Sequence, residues 1–107
     1  MKTARWVPLL ATADCPPGSQ HFVEAGGHEL AVFHLRAPDR FVVIANSCPH
    51  AGGNLSAGEV AGDVVTCPWH DWKFNLETSL CTESESVRVK KYDCRVESGR
   101  LLALLPD

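Results

Sequence analysis

No apolar run in this sequence approaches the roughly 20 residues that a membrane span needs. Met1 to Leu10 is interrupted by Arg5 and Pro8, and no small-residue cleavage site follows it. A soluble, unexported, cytoplasmic chain is expected, with no membrane partner. Basic residues are also few: ten Lys and Arg stand against thirteen Asp and Glu, a formal charge of -3. That balance offers no cationic footprint for nucleic acid and suits a small acidic carrier that meets basic partners. There is no internal repeat, no linker and no low-complexity segment, and 107 residues make one ordinary domain, 1–107. No nucleophile sits beside a base in a recognisable catalytic motif, so bond chemistry by this chain alone is not expected.

Helical spacing is missing as well, since no stretch of ten or more residues carries an apolar period near 3.6. Short strand-like runs separated by turn residues take its place, and the fold class is all-β. His28 to Arg36 (HELAVFHLR), bounded by Gly26-Gly27 and by Ala37-Pro38-Asp39-Arg40, pairs with Phe41 to Ala45 as a hairpin. Asp63 to Cys67, Trp72 to Leu76 and Val87 to Lys90 read as further strands, and Arg95 to Glu97 with Arg100 to Leu105 as a closing hairpin turned at Ser98-Gly99.

What the chain does have is cysteine beside histidine. Cys48-Pro49-His50-Ala51-Gly52-Gly53 follows the first hairpin, and Cys67-Pro68-Trp69-His70 follows the next strand. Five cysteines is an odd count, and two of them lie two and three residues before a histidine, which favours metal ligation in a reducing compartment over a disulfide framework. Cys15, Cys81 and Cys94 remain as small half-buried residues or free thiols. His21, His28 and His34 lack a cysteine at ligand spacing and read as surface or strand histidines. Two loops, each with one Cys and one His, can grip an inorganic object from both sides. A zinc-stabilised interaction module is one such arrangement, although structural zinc sites usually group like ligands as C-x2-4-C and H-x3-5-H.

The pattern C-x-H, sixteen residues, C-x-x-H resembles the Rieske iron-sulfur family, and weaker similarity runs along nearly the whole chain. The resemblance implies the Rieske fold, an antiparallel sheet base with a small cluster-binding subdomain at about 46–75. It implies a [2Fe-2S] cluster with Cys48 and Cys67 on one iron and His50 and His70 on the other. Neutral imidazoles donate no negative charge, so the histidine-bound iron is the one reduced. It implies a one-electron carrier, a Rieske-type ferredoxin working between a flavin reductase and a terminal oxygenase such as an aromatic-ring dioxygenase, monomeric and not itself an enzyme. The alternative partner is the large subunit of an NAD(P)H-dependent nitrite reductase, with this chain as the small subunit. Gly52 and Gly53 are expected near the sulfides, Leu55 as a shield against water, and Trp69 and Trp72 as aromatic cover.

Departures from the family pattern narrow this further. High-potential members carry a disulfide between positions matching Gly53 and Trp69, where this chain has no cysteine. Asp71 and Ser79 stand where many relatives have glycine. Leu76 to Ser86 contains no proline, although a Pro-containing segment often covers the cluster. Its Glu77, Glu83 and Glu85 read as a solvated acidic edge. Hydroxyls that raise the potential of high-potential members come from positions matching Trp72 and Phe74, so a potential at the low end of the family's range is expected. A second domain holding a mononuclear iron, as catalytic Rieske oxygenases need, is not expected after Asp107.

Overall fold

The computed structural model describes residues 3–36, 38–49, 53–69, 71–84 and 86–106. Among them the backbone forms ten strands: β1 (Ala4–Ala11), β2 (Gln20–Ala25), β3 (His28–Leu35), β4 (Arg40–Ala45), β5 (Glu59–Ala61), β6 (Val64–Thr66), β7 (Lys73–Asn75), β8 (Lys91–Tyr92), β9 (Cys94–Glu97) and β10 (Arg100–Pro106). The helical content is two single 3-10 turns, Thr12–Asp14 and Leu55–Ala57, and none of it is long and apolar enough to cross a membrane. The strands make three antiparallel sheets, ordered β1-β10-β9, β2-β3-β4-β8 and β5-β6-β7.

The β3–β4 hairpin is the centre of the molecule. Successive side chains of a strand point to opposite faces, so a strand covered on both sides must be apolar throughout. Leu30 and Val32 of β3 enter one core with Val43, Leu101, Ala103 and Leu105, while Ala31, Phe33 and Leu35 enter another with Val42, Ile44, Leu55 and Phe74. The first core is roofed by β10. The second lies against the small β5-β6-β7 sheet. The β2–β3 turn is Gly26-Gly27 with φ of 57° and 81°, the left-handed pair that matches the twist of a two-residue hairpin.

Two strands lack a clear signal in the sequence. β1 carries Pro8 in mid-run, which cannot donate to a ladder; it is tolerated because β1 is an edge strand whose register shifts between Pro8 and Leu10. β2 is an edge strand with polar Gln20, His21 and Glu24, and its pairing to β3 supplies what its own composition does not. Val87 to Lys90, expected as a strand, makes only an isolated bridge, Leu80 with Arg88, and the regular pairing starts at Lys91.

The small sheet is longer than its three strands. Phe74 bridges Cys81, and Cys81 donates its N–H to the Val87 carbonyl (2.9 Å), so the Leu76 to Ser86 segment folds back as two further ribs. The inward row across all five segments is Val60, Val65, Phe74, Cys81 and Val87, and each of these is in or against the second core. Asn75 starts the reversal: its Oδ1 accepts the N–H groups of Glu77 (2.8 Å) and Thr78 (3.1 Å).

Polar ties join this sheet to the base. Gln20 Nε2 donates to the carbonyls of Ser56 and Gly58, both at 2.7 Å. Arg40 donates to the carboxylates of Asp63 and Glu77 and to the carbonyls of Arg36 (3.2 Å) and Pro38 (2.8 Å). The acidic edge expected at Glu77, Glu83 and Glu85 is thus partly neutralised. Glu77 is paired, and Glu83 accepts from the Thr82 hydroxyl, which with neighbouring Lys73 holds its carboxyl below the usual range. Glu85 lies outside the described residues.

Candidate metal centre

Cys48 follows β4 and Cys67 follows β6, so each cysteine leaves a strand that is anchored in the second core. The two loops close alike. Cys48 donates its N–H to the Gly53 carbonyl (2.9 Å), and Cys67 donates to the Trp72 carbonyl (2.7 Å), five residues on in both cases. His50 falls inside the first closed loop and His70 inside the second; both lie outside the described residues, as does Gly52. Among the described residues no other His, Cys, Asp or Glu joins the two cysteines to make a group of three.

The first loop is held from behind by Asn46, 2% exposed. Its Nδ2 donates to Asn54 Oδ1 (3.0 Å), its Oδ1 accepts Ser56 N–H (2.9 Å), and its carbonyl accepts Leu55 N–H (2.8 Å). A buried amide with its partners in place fixes a loop, because leaving any one of them unmade costs the full desolvation of that group. Leu55, fully buried, is thereby set into the core beside both cysteines.

The sulfurs converge. Cys48 and Cys67 are buried, no disulfide joins them, and the Cys48 thiol lies within hydrogen-bonding reach of Cys67. Burial pushes the Cys67 thiol up and the Cys48 thiol adds to this, while the Trp69 backbone N–H pointing at the Cys67 sulfur favours the thiolate. Gly53 packs on this pair: a Cβ there would lie 2.8 Å from Cys67 Sγ and 3.1 Å from Trp69 Cγ. Two buried thiols facing one another across loops that need glycine for their approach, with a backbone donor already on one sulfur, fit the cysteine side of an iron-sulfur cluster.

Other expected residues divide. Trp72 packs against the second core, whereas Trp69 is 58% exposed, with its Cβ and Cγ against Gly53. Asp71 (φ 56°) and Ser79 (φ 64°) both adopt the left-handed backbone in which glycine is unstrained. His21, His28 and His34 are strand histidines: His28 Nε2 meets the Pro106 carbonyl (3.0 Å), His34 Nδ1 meets the Cys15 carbonyl (2.7 Å), and His21 Nε2 is buried without a hydrogen-bond partner among the described residues. Cys15 and Cys94 belong to the first core region and Cys81 to the second. Sequence reasoning missed Gly58, where a Cβ would sit 2.3 Å from the Thr66 carbonyl oxygen, and missed Asn46, Gln20 and Arg40. A glycine directly after the Leu55 turn was the only available signal.

Comparison with known proteins finds similar chains. The chain is 32% identical over 98 residues to the ferredoxin CarAc of Metapseudomonas resinovorans, covering 90% of each. It is 35% identical over 79 residues to a cholesterol 7-desaturase of Hemicentrotus pulcherrimus, matching 73% of this chain but only 17% of that protein. The chain thus spans about a fifth or less of the length of this desaturase and of a 3-ketosteroid-9-alpha-monooxygenase oxygenase component of Rhodococcus rhodochrous. Among solved structures, the complex of reduced oxygenase and oxidized ferredoxin in carbazole 1,9a-dioxygenase matches with a TM-score of 0.80 at 30% identity, covering 92% of this chain and 91% of that one. An NADH-dependent nitrite reductase small subunit from Mycobacterium tuberculosis matches with a TM-score of 0.84 at 25% identity, covering 94% and 95%. The Rieske [2Fe-2S] domain model matches residues 5–93, and the chain belongs to the Rieske [2Fe-2S] family.

Proposed function

We propose that this chain is a Rieske-type ferredoxin, a one-electron carrier that receives electrons from a flavin-dependent reductase and passes them to a terminal oxygenase. The observation that carries the reading is the likeness to a ferredoxin over 90% of both chains. In this reading 1–107 is one electron-carrying domain with its cluster-binding subdomain at about 46–75. Cys48 and Cys67 hold one iron of a [2Fe-2S] cluster, and His50 and His70 hold the other. The cluster supplies reversible one-electron chemistry.

The residues around it do the rest. Leu55 and the apolar row of the small sheet keep water from the cysteine side, Asn46 fixes the first loop, and the Trp69 N–H tempers the charge on the Cys67 sulfur. Because no nucleophile–base motif accompanies them, turnover of substrate is assigned to the partner.

The test is anaerobic stopped-flow reduction of the holoprotein by NADH and a flavin reductase, followed by mixing with an oxygenase component. Fast reduction and re-oxidation without a stable complex are expected. Product formation by the chain with a chemical reductant and oxygen alone would overturn the carrier assignment. The nitrite reductase reading is kept by the 0.84 structural match, and stable co-purification with a large haem-containing chain would decide for it.

A further inference from the structure

β2 is the outer strand of its sheet, and the register shows which of its backbone groups face outward. His34 of β3 donates its N–H to the Ser19 carbonyl (3.0 Å) and accepts from Gly18 N–H (2.8 Å), whereas the Glu29 carbonyl accepts from Asn46 on the β4 side (3.0 Å). Backbone groups alternate in direction along a strand, so the even-numbered residues of β3 face β2. His28, Leu30 and Val32 stand opposite Ala25, Val23 and His21, whose own N–H and C=O groups close the ladder. Those of Gln20, Phe22 and Glu24 point to the open side, and among the described residues none of them makes a further backbone hydrogen bond.

The other free edges among the described residues are blunted. β1 carries Pro8 and a register shift, β9 bears Arg95 and Glu97, β5 has three residues and β8 two. β2 has six residues, no proline, lysine or arginine, and no irregularity of register from Gln20 to Ala25. Phe22, near its centre, is 51% exposed. An edge left open in this way is a template for another strand. It is also tied to the metal centre: Gln20 holds the carbonyls of Ser56 and Gly58, and Glu29, opposite Glu24 in register, holds Asn46, which fixes the first cysteine loop.

Charge selects the occupant. Glu24 and Glu29 are cross-strand partners, so their exposed side chains stand on one face, that of Phe22, and no Lys or Arg pairs with either among the described residues. Like charges directly opposite are unfavourable until a cation comes between them. A second copy of the chain does not supply one. Two β2 strands paired antiparallel about Phe22 would set Glu24 against Gln20, whose amide donors are on Ser56 and Gly58, and would bring both carboxylate pairs together.

We propose that the open edge of β2 receives an extended, basic segment of the redox partner, with its backbone on Gln20, Phe22 and Glu24, an apolar side chain over Phe22 and a Lys or Arg between Glu24 and Glu29. The identity of the partner rests on the carrier reading; the mode of binding rests on the edge. Main-chain hydrogen bonds supply affinity in such strand addition, and the charges supply specificity and on-rate. A segment docked there runs past the Leu55 turn, which packs against β2, and anchors its protein beside the first cysteine loop.

Amide hydrogen exchange of the cluster-loaded protein, alone and saturated with a flavin reductase or with an oxygenase component, reads the edge directly. The amides of Gln20, Phe22 and Glu24 are expected to exchange fast in the free protein and to slow about tenfold or more with one of the two partners, while those of His21, Val23 and Ala25 are slow throughout. Phe22→Pro removes one outward N–H and leaves the β3 ladder whole. It should lower the second-order rate constant of electron exchange with that partner by about tenfold or more, at unchanged cluster spectrum and potential. Glu24→Lys should lower the same constant at low salt and much less at high salt. If Phe22→Pro does not fold, the wild-type exchange pattern and Glu24→Lys decide. Edge amides that stay fast with both partners, or wild-type electron exchange by a folded Phe22→Pro protein, would overturn the proposal and leave the carrier assignment standing. Protection that rises with protein concentration and no partner present would also overturn it, making the edge a contact between copies. Failure of the wild-type protein to exchange electrons with either partner would overturn the carrier assignment, and this site with it.

Discussion

Gly53→Ala puts a single methyl group into the contact between the two loops. The added carbon would lie 2.8 Å from Cys67 Sγ, 3.1 Å from Trp69 Cγ and 3.2 Å from Trp69 Cβ. The φ of Gly53 is not in the left-handed region, so the cost is one of space alone. The sulfur cannot retreat, because Cys67 is fully buried and its N–H is tied to Trp72 at 2.7 Å. Trp69, more than half exposed, can swing outward. Overpacking of this kind costs about 1–3 kcal/mol, and for a domain of this size each kcal/mol lowers the melting temperature by about 4–8 °C. Melting of the holoprotein followed at once by far-ultraviolet and visible circular dichroism reads both fold and cluster. The variant is expected to lose cluster signal at a lower temperature than wild type, with the visible transition preceding the far-ultraviolet one. Trp69→Ala in the same chain should restore little, since the contact with the sulfur remains. A Gly53→Ala protein with wild-type melting and spectrum would show that the loops are not packed as described.

Other outcomes follow from the same contacts. Gly53→Cys with Trp69→Cys should form a disulfide on mild oxidation, because the two Cβ positions are near 3.2 Å, only slightly inside the usual separation of about 3.8 Å; mass spectrometry showing both new thiols free would refute it. Ser79→Gly should stabilise the protein by about 1 kcal/mol through relief of its left-handed backbone, read as a higher denaturation midpoint, and a lower midpoint would mean that the buried hydroxyl on the Thr78 carbonyl matters more. Cys94 and Tyr92 are both held up by burial, so the unfolded state ionises first as pH rises; stability should fall above about pH 8.5, and Cys94→Ala should flatten the first part of that fall. His50→Ala or Cys67→Ala should yield colourless protein, and retention of a full cluster spectrum by either would remove that residue from the ligand set.

Much of the base was legible because β3 and β4 are buried on both faces and therefore apolar without interruption. The closing hairpin was legible from its Ser98-Gly99 turn, which takes the expected left-handed pair of φ values, 51° and 75°. β1 and β2 were not, since an edge strand owes its regularity to its neighbour and can hold a proline or a run of polar residues. The Leu76 to Ser86 segment was illegible for a different reason. Its inward residues Cys81 and Val87 are only six apart with polar residues between, and the pairing that aligns them with Phe74 is set by Asn75, whose turn-forming bonds leave no periodic trace.

The cysteines of the site could be read from spacing, and their closeness could not, because closeness depends on what is absent at Gly53 and Gly58. The missing glycines at 71 and 79 carry the opposite lesson. Both positions keep the left-handed backbone that glycine would favour, so the fold imposes the conformation and the side chain tolerates it at a cost of about 1–2 kcal/mol. At Ser79 the cost is partly offset by a hydroxyl bonded to the preceding carbonyl. At Asp71 the carboxylate lies on the rim of the second cysteine loop, near enough to Cys67 to disfavour further negative charge on its sulfur. An added electron at the site meets the same repulsion, and neither Trp72 nor Phe74 can offer the hydroxyl that would offset it. Asp71→Gly therefore removes backbone strain and a negative charge together. Protein-film voltammetry should find the parent well below the upper limit of about +300 mV for such centres, and the variant more positive than the parent and more stable. A variant more stable at an unchanged potential would separate the two effects and assign Asp71 to the backbone alone.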